Sequence, residues 1–352
     1  MSVRTGILAA SVLCANALVG PRLAKAGRAH GGRSLRMGAD DAFASYSAKT
    51  TFLFPGQGAQ AVGMAVETCA AVPAAAALFA RASEIVGYDL LAKCRDGPKE
   101  SLDTTEVCQP AIFVASMAAV EKLRSESGQA AVDACTCAMG LSLGEYSALC
   151  FAGALTFDDG VRLTQLRGKA MQAAADAVDT GMVSVIGLDS MNVAALCLEA
   201  SARSGGKIEI ANYLCNGNYA VSGDKAACAL LCDIAKPEFG ARMVVKLAVA
   251  GAFHTKFMSP AVEALAAALS TTTVSAPRIP VVSNVDAKPH SDPAVIKELL
   301  AAQVTSPVLW EESCNNLLAN GYETGYELGP GKVIAGIFKR ISKEAEVVAV
   351  TV

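Results

Sequence analysis

The turn formed by residues 140–144, with the sequence GLSLG, constrains the fold of this chain more than any other feature. It follows the small, apolar run 135–141 and leads into the helix-prone run 145–149. Glycines at both ends of such a pentapeptide allow a sharp strand-to-helix turn that presents a serine hydroxyl at the head of a sheet. The pattern predicts that Ser142 is a catalytic nucleophile on an α/β fold; a glycine-rich structural turn is the alternative.

Strand-like and helix-like segments alternate along most of the chain, beginning with the short β-prone run 51–54. This alternation predicts βαβ units and a mostly parallel sheet. Between residues 182 and 249 the order becomes β-α-β-β-α-β, which is the ferredoxin-like arrangement. We therefore expect a catalytic α/β domain made of residues 49–180 and 250–352, with a ferredoxin-like subdomain, residues 181–249, inserted in it.

The composition excludes several classes of function. With 18% charged residues and a formal net charge of −3, the chain has no basic surface suited to unspecific nucleic-acid binding. Its twelve cysteines are scattered and lack the spacings of zinc or redox motifs, so free thiols and no metal are expected.

The N-terminus differs in composition from the rest of the chain. Residues 1–38 contain six basic and no acidic residues, and 6–20 is an apolar run too short for a comfortable membrane span. The combination predicts a targeting leader, residues 1–48, of the two-part kind that directs proteins to plastids, and no stable membrane span in the mature form. Secretion and a mitochondrial presequence are the alternatives.

A nucleophilic serine needs a base, and the chain has only three histidines. His30 lies in the leader, and His290 lies in a turn-rich segment between two prolines. His254 follows an expected strand, at the kind of strand end where α/β sheets collect catalytic residues. It is the predicted base, with a buried structural histidine as the alternative.

Two further glycine-rich stretches, 54–60 and 329–332, follow expected strands. Neither has the dinucleotide spacing or the Gly-Lys-Ser/Thr ending of a phosphate-binding loop. An unhindered backbone N–H after a strand is what an oxyanion hole requires, although each stretch taken alone favours an ordinary turn.

Arg167 lies in the helical run 163–171, where helical spacing puts it beside Leu163, Ala170 and Met171 on an apolar face. An inward guanidinium needs a carboxylate partner. Periodicity alone favours the alternative, an arginine that snorkels to water.

Six segments in order, FPGQGAQ, GLSLGEYSAL, QLRGKAMQ, NYAVSG, GAFHTKFM and ELGPGK, resemble the malonyl-CoA:acyl carrier protein transacylases of type II fatty acid synthesis. The resemblance runs from residue 51 to the C-terminus. It implies an α/β-hydrolase-like large domain with a ferredoxin-like insert, malonyl-CoA and holo acyl carrier protein as partners, and no metal or redox cofactor.

The resemblance also implies how the catalytic pair works. Malonyl is transferred from CoA to Ser142 with His254 as general base, and then to the phosphopantetheine thiol of the carrier protein. No acidic third member is implied; the backbone carbonyl or the side chain of Gln303 orients the histidine. Leu141 stands where the family commonly has histidine, a change that leaves this mechanism intact.

The remaining implied roles concern charge and specificity. The backbone N–H groups of Gln57 and Leu143 match the oxyanion hole, and Arg167 matches the residue that binds the malonyl carboxylate. Phe253 resembles the residue that crowds a branched acyl group. An α/β-hydrolase esterase and an inactive carrier-binding scaffold are rival interpretations, but neither uses an inward arginine together with Ser142 and His254.

Overall fold

The structure is a computed structural model that describes residues 42–352. Most of the predicted leader, His30 included, lies outside the described residues. Nine strands occur within them: β1 (Thr50–Phe54), β2 (Cys137–Gly140), β3 (Thr180–Ile186), β4 (Ile208–Cys215), β5 (Asn218–Asp224), β6 (Met243–Lys246), β7 (Val281–Val282), β8 (Thr324–Gly329) and β9 (Glu346–Thr351).

Helices connect and cover these strands. Those described are α1 (Val66–Ala71), α2 (Pro73–Val86), α3 (Leu90–Asp96), α4 (Lys99–Leu102), α5 (Thr105–Ser127), α6 (Gln129–Asp133), α7 (Gly144–Phe151), α8 (Phe157–Asp176), α9 (Ser190–Ser204), α10 (Lys225–Ala235), α11 (Ser259–Thr271), α12 (Pro293–Gln303), α13 (Trp310–Ala319) and α14 (Val333–Ile341). A short 3₁₀ helix, Lys256–Met258, precedes α11.

The larger sheet has the strand order β7-β2-β1-β8-β9, and every neighbouring pair in it is parallel. The expectation of a parallel α/β sheet is therefore confirmed. Phe54, at the end of β1, pairs with Gly140, at the end of β2. This register brings the glycine-rich stretch 54–60 beside the GLSLG turn, because the carboxyl ends of parallel strands meet at one edge.

The smaller sheet is antiparallel and has the order β4-β5-β3-β6. With α9 and α10 it forms the β-α-β-β-α-β arrangement predicted from the sequence. Its apolar side chains form a separate hydrophobic cluster drawn from residues 183–241. The ferredoxin-like part of the fold prediction is thus confirmed.

Two strands are shorter than the β-prone sequence segments that predict them, residues 243–249 and 279–284. β6 ends at Lys246 rather than at residue 249, because it is an edge strand whose side chains are largely exposed. β7 is limited to two residues of the predicted 279–284 segment. Pro280, immediately before it, has no N–H to donate to a neighbouring strand.

The long helix α5 runs through the main hydrophobic core, where its central residues 108–120 are buried. Helix α8 packs closely on it at Gly168, where a Cβ atom would lie 2.4 Å from the Thr105 carbonyl oxygen. This glycine allows the two helices to approach, which directs the neighbouring Arg167 into the protein rather than toward solvent.

Three further observations concern only residues 42–352. Their eleven cysteines are all free. No three His, Cys, Asp or Glu side chains among them lie close enough together to hold a metal ion. None of the helices in this part of the chain is both long and apolar enough to cross a membrane.

Candidate active site

Ser142 lies in the turn between β2 and α7 with a φ of 52°, in the left-handed region that ordinary residues rarely adopt. Close packing on both sides enforces this turn. A Cβ on Gly140 would lie 1.9 Å from the carbonyl carbon of Gly144, and a Cβ on Gly144 would lie 2.1 Å from the oxygen of Phe54. Both glycines are therefore required sterically, as the pentapeptide predicted.

His254 lies directly beside the serine. Its Nε2 atom is 2.9 Å from Ser142 Oγ, and its Nδ1 atom is 2.9 Å from the backbone oxygen of Gln303. A carbonyl oxygen only accepts hydrogen bonds, so Nδ1 carries the proton and donates to it. This tautomer leaves the Nε2 lone pair free to accept the Ser142 hydroxyl proton, which is the arrangement a general base requires.

The histidine is buried, and its environment favours the neutral ring. Burial, and next the positive charge of Arg167, lower the pKa of His254 from 6.5 to about 4. The ring is therefore unprotonated throughout the neutral range and able to accept a proton.

We expect the His254 ring to stay neutral down to a pH of about 4, whereas an ordinary histidine takes up its proton near 6.5. The measurement is a pH titration of the histidine ring signals by NMR. Only three histidines contribute, and a His254→Ala variant identifies the signal. A midpoint near 6.5 for that signal would contradict the expected effect of burial.

The two predicted oxyanion donors lie at the same edge of the sheet. Leu143 follows the serine at the N-terminus of α7, and Gln57 lies in the adjacent loop after β1. The two segments touch, because a Cβ on Gly56 would lie 2.3 Å from the oxygen of Leu141. Within residues 42–352, neither backbone N–H donates a hydrogen bond. Both are thus available to an oxyanion.

Arg167 lies on the inner side of the site and is only 1% exposed. The alternative of an arginine that snorkels to water is therefore wrong. Its Nη2 donates to Ser142 Oγ at 3.0 Å and to Gln303 Oε1 at 2.9 Å, and its Nη1 donates to Gln109 Oε1 at 2.8 Å. The guanidinium also lies over the Tyr146 ring, 5.5 Å from its centroid.

The partners of Arg167 are neutral, although it is a buried cation. Among residues 42–352, no carboxylate contacts it within salt-bridge distance, and its Nε atom has no hydrogen-bond partner. Burial of a charge is costly unless an opposite charge accompanies it. The arrangement suits an anionic group delivered by a ligand that reacts at Ser142.

The structure also places three residues at the site that the sequence analysis missed, Gln109, Glu145 and Asn284. Gln109 could have been noticed, since it is the one residue with a side-chain amide in the largely apolar buried part of α5. Glu145 resembles an ordinary acidic residue in the first turn of a helix. Asn284 gives no local signal, because it reaches the site from 142 residues away in sequence.

Two other predicted features lie at the margin of the site. Phe253, next to His254, is 5% exposed and packs into the main core. The Gly-rich stretch 329–332 leads into α14, where the Glu327 carboxylate accepts the backbone N–H groups of Ile334 and Ala335. That helix N-terminus is therefore occupied by the protein's own carboxylate.

A strained serine bonded to a histidine, at the carboxyl edge of a parallel sheet, defines a class: the α/β enzymes that carry out acyl chemistry at a serine. Residues 51–352 match the acyl transferase domain family, and the chain belongs to that family.

Curated relatives and solved structures agree with this assignment. The chain is 40% identical over 307 residues to the mitochondrial malonyl-CoA-acyl carrier protein transacylase of Mus musculus, covering 84% of this chain and 80% of the relative. It is 40% identical over 290 residues to the transacylase of Salmonella typhimurium, covering 82% and 92%.

Two solved structures share the fold. An acyl carrier protein S-malonyltransferase from Vibrio cholerae superimposes with a TM-score of 0.80 at 39% identity, covering 86% of this chain and 97% of that one. A malonyl-transacylase solved in complex with its type II PKS acyl-carrier protein gives a TM-score of 0.80 at 35% identity, covering 86% and 95%.

Proposed function

We propose that the protein transfers malonyl from malonyl-CoA to the phosphopantetheine thiol of acyl carrier protein, through a malonyl ester of Ser142, and so supplies fatty acid elongation. The buried guanidinium of Arg167, 3.0 Å from Ser142 Oγ, is the observation that carries this proposal. Relatives named as malonyl-CoA-acyl carrier protein transacylases, about 40% identical over most of the chain, support it.

In the first half-reaction Ser142 Oγ attacks the thioester carbonyl while His254 Nε2 takes the hydroxyl proton. The carbonyl oxygen becomes an oxyanion that accepts the N–H groups of Gln57 and Leu143. Collapse of this intermediate breaks the carbon–sulfur bond, and His254 returns the proton to the departing CoA thiolate. The products are free CoA and a malonyl ester of Ser142.

The second half-reaction reverses these steps with a different thiol. His254 takes the proton of the carrier protein's thiol, and the thiolate attacks the ester carbonyl in the same oxyanion hole. Collapse then breaks the ester bond, and His254 protonates the departing Ser142 oxygen. Because the Gln303 carbonyl holds the histidine throughout, the pair requires no directly bonded carboxylate.

Arg167 provides the selection for malonyl. The malonyl carboxylate can pair with the guanidinium through short, charge-assisted hydrogen bonds, whereas an acetyl group leaves the buried cation without a partner. Phe253, adjacent to His254 in sequence, would in this proposal crowd a branched acyl chain.

The test is a transfer assay with the full chain, radiolabelled malonyl-CoA and holo acyl carrier protein. We expect label to appear first on the enzyme and then on the carrier protein. Release of free malonate without carrier labelling would instead support the rival esterase. The same assay with labelled acetyl-CoA measures the selectivity.

We further propose that residues 1–48 direct the protein to the plastid, on account of their two-part basic and apolar composition. The mammalian relatives are named as mitochondrial proteins, so the mitochondrion is the alternative destination. Fusion of residues 1–50 to a fluorescent protein separates the two, because label in the mitochondrion would refute the plastid proposal.

We also propose the domain limits expected from the sequence, 49–180 with 250–352 for the large domain and 181–249 for the small one. The separate hydrophobic cluster of the smaller sheet supports this division. Limited proteolysis that cuts first near residues 180 and 249 would agree with it, and first cuts inside either sheet would not.

A further inference from the structure

The mechanism described above leaves unused a buried carboxylate that lies close to the nucleophile. Glu145 lies in the first turn of α7, three residues after the nucleophile, and is only 3% exposed. Its Oε2 atom accepts two hydrogen bonds, from the backbone N–H of Asn284 at 2.9 Å and from Gln303 Nε2 at 2.7 Å. Each of these two partners leads to a different part of the catalytic site.

The first branch supports the nucleophile. Asn284 Oδ1 accepts the backbone N–H of Ser142 at 2.5 Å, and Asn284 Nδ2 donates to the Gly140 oxygen at 2.8 Å. The asparagine side chain therefore spans the strained turn on both sides of the serine. Glu145 fixes Asn284 in turn by holding its backbone N–H.

The second branch supports the base and the buried cation. Gln303 accepts from Arg167 through its side-chain oxygen and from His254 through its backbone oxygen. Its Nε2 group donates to Glu145 and also, at 3.1 Å, to the backbone carbonyl oxygen of Ser142. The amide thus lies between a carboxylate and a guanidinium, with its donor end toward the negative group and its acceptor end toward the positive one.

The charges in this network are complementary. Within residues 42–352 no carboxylate bonds directly to the guanidinium of Arg167, and the Gln303 amide joins it to Glu145. The other ionisable groups that act on Glu145 are Asp286, which is bonded to His290, and Tyr146 of the same helix. Arg167 is therefore the one cation among the groups facing this carboxylate in the described structure.

An ionised carboxylate at this position costs folding stability. Burial raises the pKa of Glu145 from 4.5 to about 7, despite the hydrogen bonds from Asn284 and Gln303 and the charge of Arg167. The folded protein then binds this proton more tightly than the unfolded chain does. Stability consequently falls as the pH rises from about 4.5 to about 7. A neutral glutamine would make the same two contacts without this cost, so support of the fold alone does not explain the carboxylate.

We propose that Glu145 is a positioning residue for acyl transfer. Through Asn284 and Gln303, its carboxylate holds Ser142, His254 and Arg167 in their relative positions. It also supplies the negative charge that balances the buried guanidinium. The proposal rests on the function proposed above. No carboxylate of the described residues is bonded directly to His254. The negative charge lies instead on Glu145, which is separated from the site by the Gln303 amide.

The test compares Glu145→Gln with Glu327→Gln, a matched control in which the other buried carboxylate of the described residues accepts the N–H groups of Ile334 and Ala335 rather than any group of the network around Ser142. We express kcat per labelled site, that is, per Ser142 that radiolabelled malonyl-CoA acylates. For Glu145→Gln at pH 8 we expect this kcat to fall about tenfold. The KM for malonyl-CoA should stay level or fall, since Arg167 loses its counter-charge, and the melting temperature should be no lower than that of the wild type. Glu327→Gln should melt lower and keep its kcat per labelled site.

The pH profile of kcat/KM provides a second readout, because it reports groups of the free enzyme. The wild type should show a partial decrease as the pH falls through about 7, where Glu145 takes up its proton. Glu145→Gln should lack that step. The ratio between the two enzymes should therefore approach one below pH 6.

Several results would overturn the proposal. An unchanged kcat in Glu145→Gln would show that its charge has no role. A variant that melts below the wild type, or does not fold, would show that the carboxylate is structural. Failure of the wild type to become labelled by malonyl-CoA would refute the proposed function itself, and this proposal with it. A labelled wild type with a fully active Glu145→Gln refutes this proposal alone.

Discussion

Replacement of Ser142 by alanine is expected to abolish covalent labelling by radiolabelled malonyl-CoA and to lower transfer to the carrier protein by about 10⁴-fold or more. The reason is chemical: without Oγ no acyl ester forms, and malonyl can reach the carrier thiol only by direct attack. His254 would remain beside the bound thioester, and the Gln57 and Leu143 N–H groups would remain available. The Ser142→Ala variant should therefore keep some turnover, of the size that an oxyanion hole alone supplies.

Ser147 provides a control, because it lies five residues after Ser142, within α7, and is fully buried. Its hydroxyl has no hydrogen-bond partner among residues 42–352, so Ser147→Ala removes no contact and should leave labelling intact. Persistent labelling of Ser142→Ala, traced to a serine or cysteine elsewhere by peptide mapping, would mean that the nucleophile is misassigned.

Sequence patterns were sufficient where the constraint is local. The GLSLG turn predicts a strained serine because a glycine at each end allows backbone segments to approach closely around it. In the structure, a Cβ on either glycine would clash with the neighbouring backbone. The insert was predictable for a similar reason, since the strand and helix order between residues 182 and 249 allows a compact antiparallel sheet. Strand ends were less predictable, because exposure at the sheet edge shortened β6 and Pro280 shortened β7.

Contacts between distant segments could not be predicted from local patterns. Periodicity put Arg167 on an apolar face but could not determine whether its guanidinium turned inward or reached water. The guanidinium lies inward against Gln109 of α5, a contact that depends on how α8 and α5 pack together. Asn284 illustrates the same limit, since its bond to Ser142 crosses 142 residues and follows a strand of only two residues.

The guanidinium of Arg167 acts on the acylation of Ser142 in two ways, one in the free protein and one when malonyl is bound. In the free protein it donates to Ser142 Oγ, a contact that withdraws electron density from the nucleophile. Its positive charge adds to the effect of burial in lowering the pKa of the adjacent His254. A malonyl carboxylate that engages the guanidinium neutralises this charge and competes for the same N–H groups. An acetyl group does neither, so selection should act on the rate of Ser142 acylation as well as on binding.

Replacement of Arg167 by alanine should therefore lower kcat/KM for malonyl-CoA by about 10²–10⁴-fold, because one partner of a buried charge pair, worth about 3–5 kcal/mol, is lost. Acetyl-CoA turnover should stay level or rise, since the nucleophile is freed from the cation. The measurement is acylation of Ser142 by each labelled thioester under single-turnover conditions. Lys169→Ala, an exposed cation on the same helix, is the control and should change neither rate. Equal losses with both substrates would indicate that Arg167 only supports the fold, and the specificity for malonyl would then have to come from the shape of the site rather than from its charge.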